Sequence, residues 1–386
     1  MTELTSLERV IRAVTHQKVD RIPLDIGASY TTGITKNAYC GLAKAMGAVG
    51  IEPQLFDVVQ QLAVVDDQMA ELIKVDIRGI APNVIRKNPA IEIIDGVQCF
   101  TDEWGLKWIK EEGVLYFHHS NAPLGGEITE KEIEEFPWPD PTDPKLFDGV
   151  VDQAKQYHQQ GYAVILESIC SGIFEMSCRL RGTEQFYMDL ALNPDLACAL
   201  LDKLVEIKIK YYKVAAKAVG QYVQFIREAD DVAGQESLLM SQKMYRQLIK
   251  PRHKMLFDAQ NQEFPEPFFI WFHSDGAIYD ILGDFIEIGV QVLNPLQLTA
   301  KGMDAEKIKS EFGKDLAFWG GGVNTQHILP HCGPEDVGDD VQQRIKTIGP
   351  EGFIFGTVHN IQDDVPTANI MAMLEKFEKM KHVVDN

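Results

Sequence analysis

Short apolar runs alternate with amphipathic helical segments along nearly the whole chain, and this rhythm limits the possible folds more than any other feature. The candidate strands are 21–27, 75–81, 162–168, 223–230, 268–275, 290–298, 316–323 and 352–360. Strands that alternate with helices form parallel sheets. Eight such units, with no Gly-x-Gly-x-x-Gly after the first strand, predict an α/β fold of the (β/α)8 TIM-barrel type rather than a doubly wound sheet. We expect one domain over residues 1–386.

The stretch from about 90 to 125 departs from this rhythm. Apolar and polar residues alternate there between turn signals, from Ile91 through Trp108 to Phe117, which is typical of antiparallel strands. The stretch lies between the second and third candidate strands. We therefore predict a small antiparallel β insertion that overhangs the active face.

The composition argues against several classes of partner. The chain carries 37 basic and 57 acidic residues, a net charge of −20, which disfavours nucleic acid and anionic membranes because phosphate binding depends on Lys and Arg. No apolar run is long enough to span a bilayer, and the first residues indicate a polar helix rather than a signal peptide. The six cysteines have no CxxC spacing. We expect a cytoplasmic, reduced protein that binds a small molecule, and a homodimer is compatible with these features.

Polar residues end each of the otherwise apolar candidate strands, and in a TIM barrel these ends meet on one face. The strand-end residues are Asp25, Tyr30, Asp76, Arg78, Glu167, Ser168, Glu228, Asp230, Asp231, His273, Asp275, Asn294, Gln297, Trp319, His359 and Asn360. Burying such groups is costly unless they are paired or bind a metal. The ring of polar residues therefore predicts an active site.

Two potential metal ligands, His273 and Asp275, end the most apolar of these strands. They stand two residues apart, so their side chains share one face of the strand. With His359 from the eighth strand they form a set of two imidazoles and one carboxylate. Three protein ligands are typical of a catalytic zinc site, and the same set also suits Fe2+. We predict a metal site at these three residues, with zinc as the first candidate. A hydrogen-bonded network without metal is the structural alternative.

Three further carboxylates are candidate catalytic groups. Asp230 and Asp231 fit either a base or a partner that orients a ligating histidine. They equally fit a cap of the loop that follows. Glu167, at the end of the third strand, is the third candidate.

Other strand-end residues are candidates for substrate binding. Arg78 and Arg227 fit either an anionic substrate or an internal ion pair, and Trp319 fits either a wall for a flat ligand or a core side chain. The full set of candidate substrate-binding residues is Asp25, Tyr30, Arg78, Arg227, Trp319 and Asn360.

Motifs at the beginning, the sixth strand and the end of the chain are similar to those of one family. They are the run 9–23, the run 286–295, and Pro366 with Asn369 and Ile370. Together they resemble the uroporphyrinogen decarboxylase-like superfamily, in particular its cobalamin-dependent methyltransferase branch. The decarboxylase branch has an arginine-rich loop after the first strand, whereas the loop 25–33 has no arginine. Decarboxylation of a multiply anionic porphyrinogen is therefore not expected.

The resemblance also implies a metal site, because the methyltransferase branch binds zinc through a His-x-Cys motif and a later cysteine. His273 matches the histidine, Asp275 stands in place of the first cysteine, and His359 stands in place of the second, seven residues before Pro366. Replacing two thiolates by a carboxylate and an imidazole makes the ion a stronger Lewis acid that suits an oxygen ligand.

This ligand set and the resemblance lead to a predicted function. We expect a zinc-dependent methyltransferase that moves a methyl group from a small O- or N-methylated donor, such as a methoxylated aromatic compound, to a Co(I) corrinoid. The corrinoid is expected on a partner protein, since the chain has no Asp-x-His-x-x-Gly cobalamin motif.

Four alternatives stay open. They are a methylcobalamin:thiol methyltransferase, a decarboxylase of a small acid that uses Asp25 or Asp76 with Arg78, an Fe2+ oxygenase of the 2-oxoglutarate type, and a binding subunit without activity. Metal content separates most of them. Zinc favours a methyltransferase, iron favours the oxygenase, and an absence of metal favours the decarboxylase or the binding subunit.

Overall fold

Strands and helices alternate in the computed structural model, which describes residues 3–84 and 89–382. The helices are α1 (Ser6–Val14), α2 (Lys36–Ala45), α3 (Asp67–Ile73), α4 (Glu130–Glu135), α5 (Val150–Gln159), α6 (Ile173–Arg181), α7 (Thr183–Leu192), α8 (Pro194–Val219), α9 (Gln242–Met244), α10 (Lys250–Glu263), α11 (Leu282–Glu287), α12 (Ala305–Phe312), α13 (Ile328–His331), α14 (Pro334–Ile348) and α15 (Thr367–Met380). The strands are β1 (Leu55–Asp57), β2 (Leu62–Ala63), β3 (Ile77–Ile80), β4 (Glu92–Ile94), β5 (Val97–Thr101), β6 (Lys107–Lys110), β7 (His118–His119), β8 (Ala163–Glu167), β9 (Phe225–Ala229), β10 (Phe269–His273), β11 (Val292–Asn294), β12 (Ala317–Trp319) and β13 (Phe353–Ile354). Each helix in this set is too short or too polar to cross a lipid bilayer.

The main sheet of the described chain has seven parallel strands in the order β13-β12-β11-β10-β9-β8-β3. The segment around Leu24 lies between its two edges. Leu24 forms a parallel bridge with Phe355, just beyond β13, and its carbonyl accepts a hydrogen bond of 2.8 Å from the Asp76 amide, just before β3. The sheet therefore curls into a barrel, and the predicted TIM-barrel fold is confirmed. The predicted first strand, 21–27, is reduced to this bridge.

Several strands are shorter than the apolar runs that predicted them. The run 290–298 contains β11, which ends at Asn294, and the run 352–360 contains only β13. Apolar residues continue beyond these strands because the following loops are themselves buried, as Phe355, Val358 and Ile361 show. A hydrophobic run therefore marks burial here rather than the length of a strand.

Side chains of each strand alternate between the inside of the barrel and the helix layer. In β10, Trp271 packs with residues of the other strands in the barrel interior, whereas Phe272 belongs to the core between the sheet and the helices. The residues Val10, Ala13 and Val14 of α1 close the lower end of this interior. The last inward positions of β8, β10 and β11 are the polar residues Glu167, His273 and Asn294, and β9 contributes the inward Arg227 beside Glu167; these residues lie at the opposite end of the barrel.

The predicted β insertion is confirmed between β3 and β8, as a four-stranded antiparallel sheet in the order β4-β5-β6-β7. Phe100 and Phe117 pack with ring centroids 5.2 Å apart, and Phe100 stacks on Trp108 at 6.4 Å. Trp108 lies 5.8 Å from the guanidinium of Arg179 on α6. The insertion thus contacts a helix that borders the carboxyl ends of the strands.

Candidate active site

The three predicted metal ligands come together at the carboxyl end of the barrel. One ligand atom each of His273, Asp275 and His359 lies within 4.8 Å of the others. Asp275 Oδ2 is 3.7 Å from His273 Nε2 and 3.9 Å from His359 Nε2. His273 is the last residue of β10, Asp275 follows it, and His359 lies in the loop after β13. These distances are within the span of one bound ion.

The protonation of these residues also suits a cation. His273 Nδ1 lies 2.6 Å from Asn294 Oδ1, an atom that can only accept, so Nδ1 carries a proton and Nε2 is the nitrogen that faces the site. Burial lowers the pKa of His359, which keeps this imidazole neutral at pH 7. Asp275 Oδ1 is buried and has no hydrogen-bond partner among the described residues. Two imidazole nitrogens and an unpartnered carboxylate oxygen are the donor set that zinc binds.

A cavity of about 140 Å3 opens beside His273 and His359. Its wall includes the polar side chains of Tyr30, Ser168, Glu175, Arg179, Arg227 and Asp231. Arg227 comes from β9, and the others come from α6 and from loops that follow different strands. The cavity therefore brings the candidate metal ligands next to a space that suits a small molecule.

Arg227 and Glu167 form a buried ion pair beneath this cavity. They are paired across β8 and β9, and the Arg227 Nε–H donates to Glu167 Oε2. The Tyr30 amide donates to the other carboxylate oxygen at 2.7 Å. Burial raises the pKa of Glu167, and the Arg227 guanidinium opposes this effect. Arg227 is thus an internal ion-pair partner that also lines the cavity, and Glu167 holds the Tyr30 loop in place.

The two adjacent aspartates have different surroundings. Asp230 accepts hydrogen bonds of 2.9 Å from the Phe174 and Glu175 amides at the start of α6, and it lies 2.8 Å from His253 Nε2. It is fully buried and does not line the cavity. Asp231 does line it, at 3.7 Å from His273 Nε2, and accepts from the amide of Asp275 at 2.8 Å. Of the two, Asp231 is placed to orient the metal ligands.

The structure does not bring Arg78, Asp25 or Trp319 to the cavity wall. Arg78 points into the helix layer, where it pairs with Asp67 at 2.9 Å. The expectation that it lies in the barrel mouth fails because its neighbour Ile77 takes the inward position. Asp25 and Trp319 bond to each other inside the barrel, at 2.8 Å from the indole nitrogen to Oδ2.

Asn360, another candidate substrate-binding residue, forms hydrogen bonds with the loop that follows the first predicted strand. Its Oδ1 accepts from the Gly33 amide at 2.5 Å, and its Nδ2 donates to the Tyr30 carbonyl at 2.8 Å. Asn360 therefore helps to place Tyr30, which lies on the cavity wall.

Two charged residues on α6 line the cavity and were missed by the sequence analysis. Burial raises the pKa of Glu175 to about 7. Arg179 lies 3.3 Å from Glu175 and donates to the Ser171 hydroxyl. An acidic residue in the first turn of a helix and a basic residue four positions later are a usable signal of a pair on one helix face. The polar pattern at the strand ends does not reveal these residues, because both lie inside the helix that follows β8.

Comparison with known proteins identifies the family. Residues 116–380, more than half of the chain, match the model of the uroporphyrinogen decarboxylase (URO-D) family. The chain therefore belongs to this family. No curated protein matches it.

Two solved structures resemble the chain to very different degrees. A methyltransferase from Methanosarcina mazei matches with a TM-score of 0.65 and 18% identity, over 98% of this chain and 99% of that chain. At this identity the likeness shows the fold alone. A structure described as CbXyn10B in native form has a TM-score of only 0.30 and 10% identity, over 65% of this chain and 96% of that chain, and carries no argument.

Proposed function

We propose that this protein is a metal-dependent methyltransferase that moves a methyl group from a small O- or N-methylated compound to the corrinoid of a partner protein. The observation that carries the proposal is the meeting of His273, Asp275 and His359 beside a small polar cavity. Membership of the URO-D family and the whole-chain likeness to a methyltransferase support it.

His273, Asp275 and His359 would hold the ion, with zinc as the first candidate and Fe2+ as the second. When bound, the ion supplies a Lewis acid that draws electron density from the oxygen or nitrogen of the donor. Asp231 keeps the backbone of Asp275 in place through the 2.8 Å hydrogen bond from its amide. The Glu167–Arg227 pair fixes the cavity wall and the Tyr30 loop.

With an ether as the methyl donor, one covalent bond breaks and one forms. The bond between the methyl carbon and the donor oxygen breaks, and its electron pair stays on the oxygen. The methyl group forms its new bond with an electron pair supplied by the Co(I) corrinoid of the partner. The oxygen then needs a proton, and Glu175 is the side chain of the cavity wall to which we assign this donation, since burial raises its pKa to about 7 and a general acid works best when its pKa is near the working pH.

The residues of the decarboxylase alternative do not form one site. Asp76 is fully buried and accepts from Arg9 at 2.7 Å and from Arg21 at 2.7 Å. Arg78 faces the helix layer, and Asp25 bonds to Trp319 inside the barrel. This arrangement favours the methyltransferase proposal.

Metal analysis and methyl-transfer assays test the proposal together. We expect about one zinc ion per chain and methylation of a Co(I) corrinoid protein from a methoxylated aromatic donor. His273→Ala and His359→Ala should lose the metal and at least about a hundredfold in rate, because each removes a direct ligand. His331→Ala is the matched control, since His331 is exposed and lies on α13, away from the cavity.

Other outcomes would change the assignment. Iron instead of zinc, with oxygen consumption, would support the oxygenase. Efficient methylation of a thiol such as coenzyme M from methylcobalamin would show that the donor assignment is wrong. A protein that binds no metal, and that keeps its activity after His273→Ala, would overturn the proposal altogether.

A further inference from the structure

We propose that Asn294 is a positioning residue of the metal site, which holds His273 in the tautomer and orientation that present Nε2 to the ion. This inference rests on the proposed function, because it concerns the same ligand set. It assigns a role to a residue of β11 that touches neither the cavity nor the other two ligands.

The orientation of the Asn294 side chain is fixed by its own contacts. The residue is fully buried, and its Nδ2 donates to the Trp319 carbonyl at 2.6 Å. Because a carbonyl oxygen cannot donate, the amide nitrogen must lie on that side. The amide oxygen therefore faces His273, and the Thr31 hydroxyl approaches the same oxygen at 3.5 Å.

Burial and ring stacking restrict the orientation of the His273 ring. It is 3% exposed, and it stacks on Trp271 with 17° between the ring planes and 6.4 Å between the centroids. A neutral imidazole has one donor and one acceptor nitrogen. Since Nδ1 donates to Asn294 at 2.6 Å, Nε2 is the acceptor.

The surroundings of Nε2 suit a cation between the groups. Oxygen atoms of Asp231 and Asp275 each lie 3.7 Å from it, which is too long for a hydrogen bond from a protonated ring. A cation bound between these groups would interact favourably with the Nε2 lone pair and with both carboxylates.

His359 differs from His273 in this respect. Its side chain is 34% exposed, and no hydrogen bond from its ring is found within residues 3–84 and 89–382. The site thus combines one candidate ligand whose ring is held by a hydrogen bond with one whose ring has no such bond in the described part of the chain. The fixed ligand depends on Asn294, as metal-bound histidines commonly depend on the group that accepts from their second nitrogen.

Zinc affinity of three variants tests the inference, measured by competition with a chromophoric chelator at constant pH. Asn294→Leu removes the acceptor and should weaken binding by roughly 10- to 100-fold. Asn294→Asp keeps an acceptor for Nδ1–H and, as the buried protonated acid, also a donor to the Trp319 carbonyl, so it should restore affinity to within a few-fold of the wild type. Asn369→Leu is the matched control, because Asn369 is equally buried but bonds to the Leu329 and Cys332 carbonyls; its affinity should be unchanged.

The tautomer is read directly in the wild-type protein without metal. With 15N-labelled histidine at about pH 9, where an imidazole is neutral, the nitrogen shifts of His273, assigned by comparison with His273→Gln, should show a proton on Nδ1 and none on Nε2. A proton on Nε2 would overturn the inference, and so would wild-type affinity in Asn294→Leu or a failure of Asn294→Asp to restore binding. If Asn294→Leu does not fold, the zinc affinity of Asn294→Asp and the histidine nitrogen spectrum still test the inference.

The two proposals fail in different ways. A wild-type protein that binds no zinc or iron contradicts the proposed function, while the spectrum still tests the role of Asn294. A wild-type protein that binds zinc, with Asn294→Leu binding equally well, leaves the proposed function in place and removes the role of Asn294.

Discussion

Asp25 is a carboxyl group enclosed by the barrel. It is 1% exposed and accepts hydrogen bonds from the Trp319 indole at 2.8 Å and from the Ala28 amide at 3.2 Å. These donors are neutral, and no Lys or Arg side chain of the described chain is seen to bond to Asp25. Burial without an opposite charge raises the pKa of Asp25 to about 7. The native state therefore binds this proton more tightly than the unfolded chain does, and the added stability is complete below the unfolded pKa of about 4 and is lost as the pH rises through 7.

Asp25→Asn should remove this pH dependence. Between pH 5 and pH 8 we expect the free energy of unfolding of the wild type to fall, relative to the variant, by roughly 3 kcal/mol. Urea denaturation of both proteins at several pH values measures the difference. Asp364→Asn, a change at an exposed position, should leave the wild-type slope intact. Parallel curves for the wild type and Asp25→Asn would contradict the prediction.

The direction of single side chains was only partly predictable from sequence. His273 and Asp275 follow directly from a strand with a period of two, and the structure brings them together. Arg78 and Glu228 were expected among the site residues, but both point outward, and Glu228 binds Lys208 at 2.5 Å in the helix layer. An alternating pattern defines two faces but does not say which is inside when both faces are buried.

At the level of elements, the start of α6 depends on a residue from another strand. Asp230, just beyond β9, accepts from the amides of Phe174 and Glu175 and contacts His253. Gly172, which precedes the helix, permits this approach, since a Cβ atom there would lie 2.1 Å from the Ala229 carbonyl oxygen. The helix that carries Glu175 is thereby tied to the strand before Asp231.

Asp230→Ala should therefore destabilise α6 more than the rest of the barrel. The loss of a buried cap and the two amides it leaves unpaired should cost roughly 2–4 kcal/mol. Hydrogen exchange followed by mass spectrometry should become faster across residues 173–181. Asp66→Ala removes a less buried cap, at the start of α3, and should cost only about 1 kcal/mol. Unchanged exchange in α6 would show that the Asp230 contacts are not needed there.

The Asp230 cap shows why helices and strands are easier to predict from sequence than the contacts between them. The positions of α8, β8 and β10 follow from periodicity, and the insertion follows from its turn signals. Asp230 was a candidate base because it stands at a strand end, and nothing local reveals that the two amides it caps lie 56 and 55 residues earlier in the chain. Contacts of this kind depend on how the helices pack, which is a property of the whole fold.

For the molecule as a whole, Asp76 joins the lower end of the barrel to the first helix. Its carboxylate accepts from Arg9 and Arg21 and from the Leu24 amide, and it is fully buried. It thus links α1, the bridging segment at Leu24 and β3. This is the point where the first and second segments of the barrel meet.

Asp76→Asn should weaken the entire barrel. Two arginines would lose a buried counter-charge, and breaking a buried pair in this way costs roughly 3–5 kcal/mol. The free energy of unfolding from urea denaturation, followed by circular dichroism, measures the loss. Asp67→Asn breaks the pair with Arg78 at a carboxylate that is 54% exposed and should cost about 1 kcal/mol or less. An equal effect of the two substitutions would contradict the prediction.

The placement of the three ligands has a consequence for biosynthesis. His273 and Asp275 follow the fifth strand, whereas His359 follows the last strand and adjoins the seam at which Leu24 meets Phe355. A polypeptide still growing on the ribosome cannot assemble all three until that last strand has been translated and has left the exit tunnel. Loading of the proposed ion would therefore be a late event, and a chelator present during translation should leave the earlier βα units free to form.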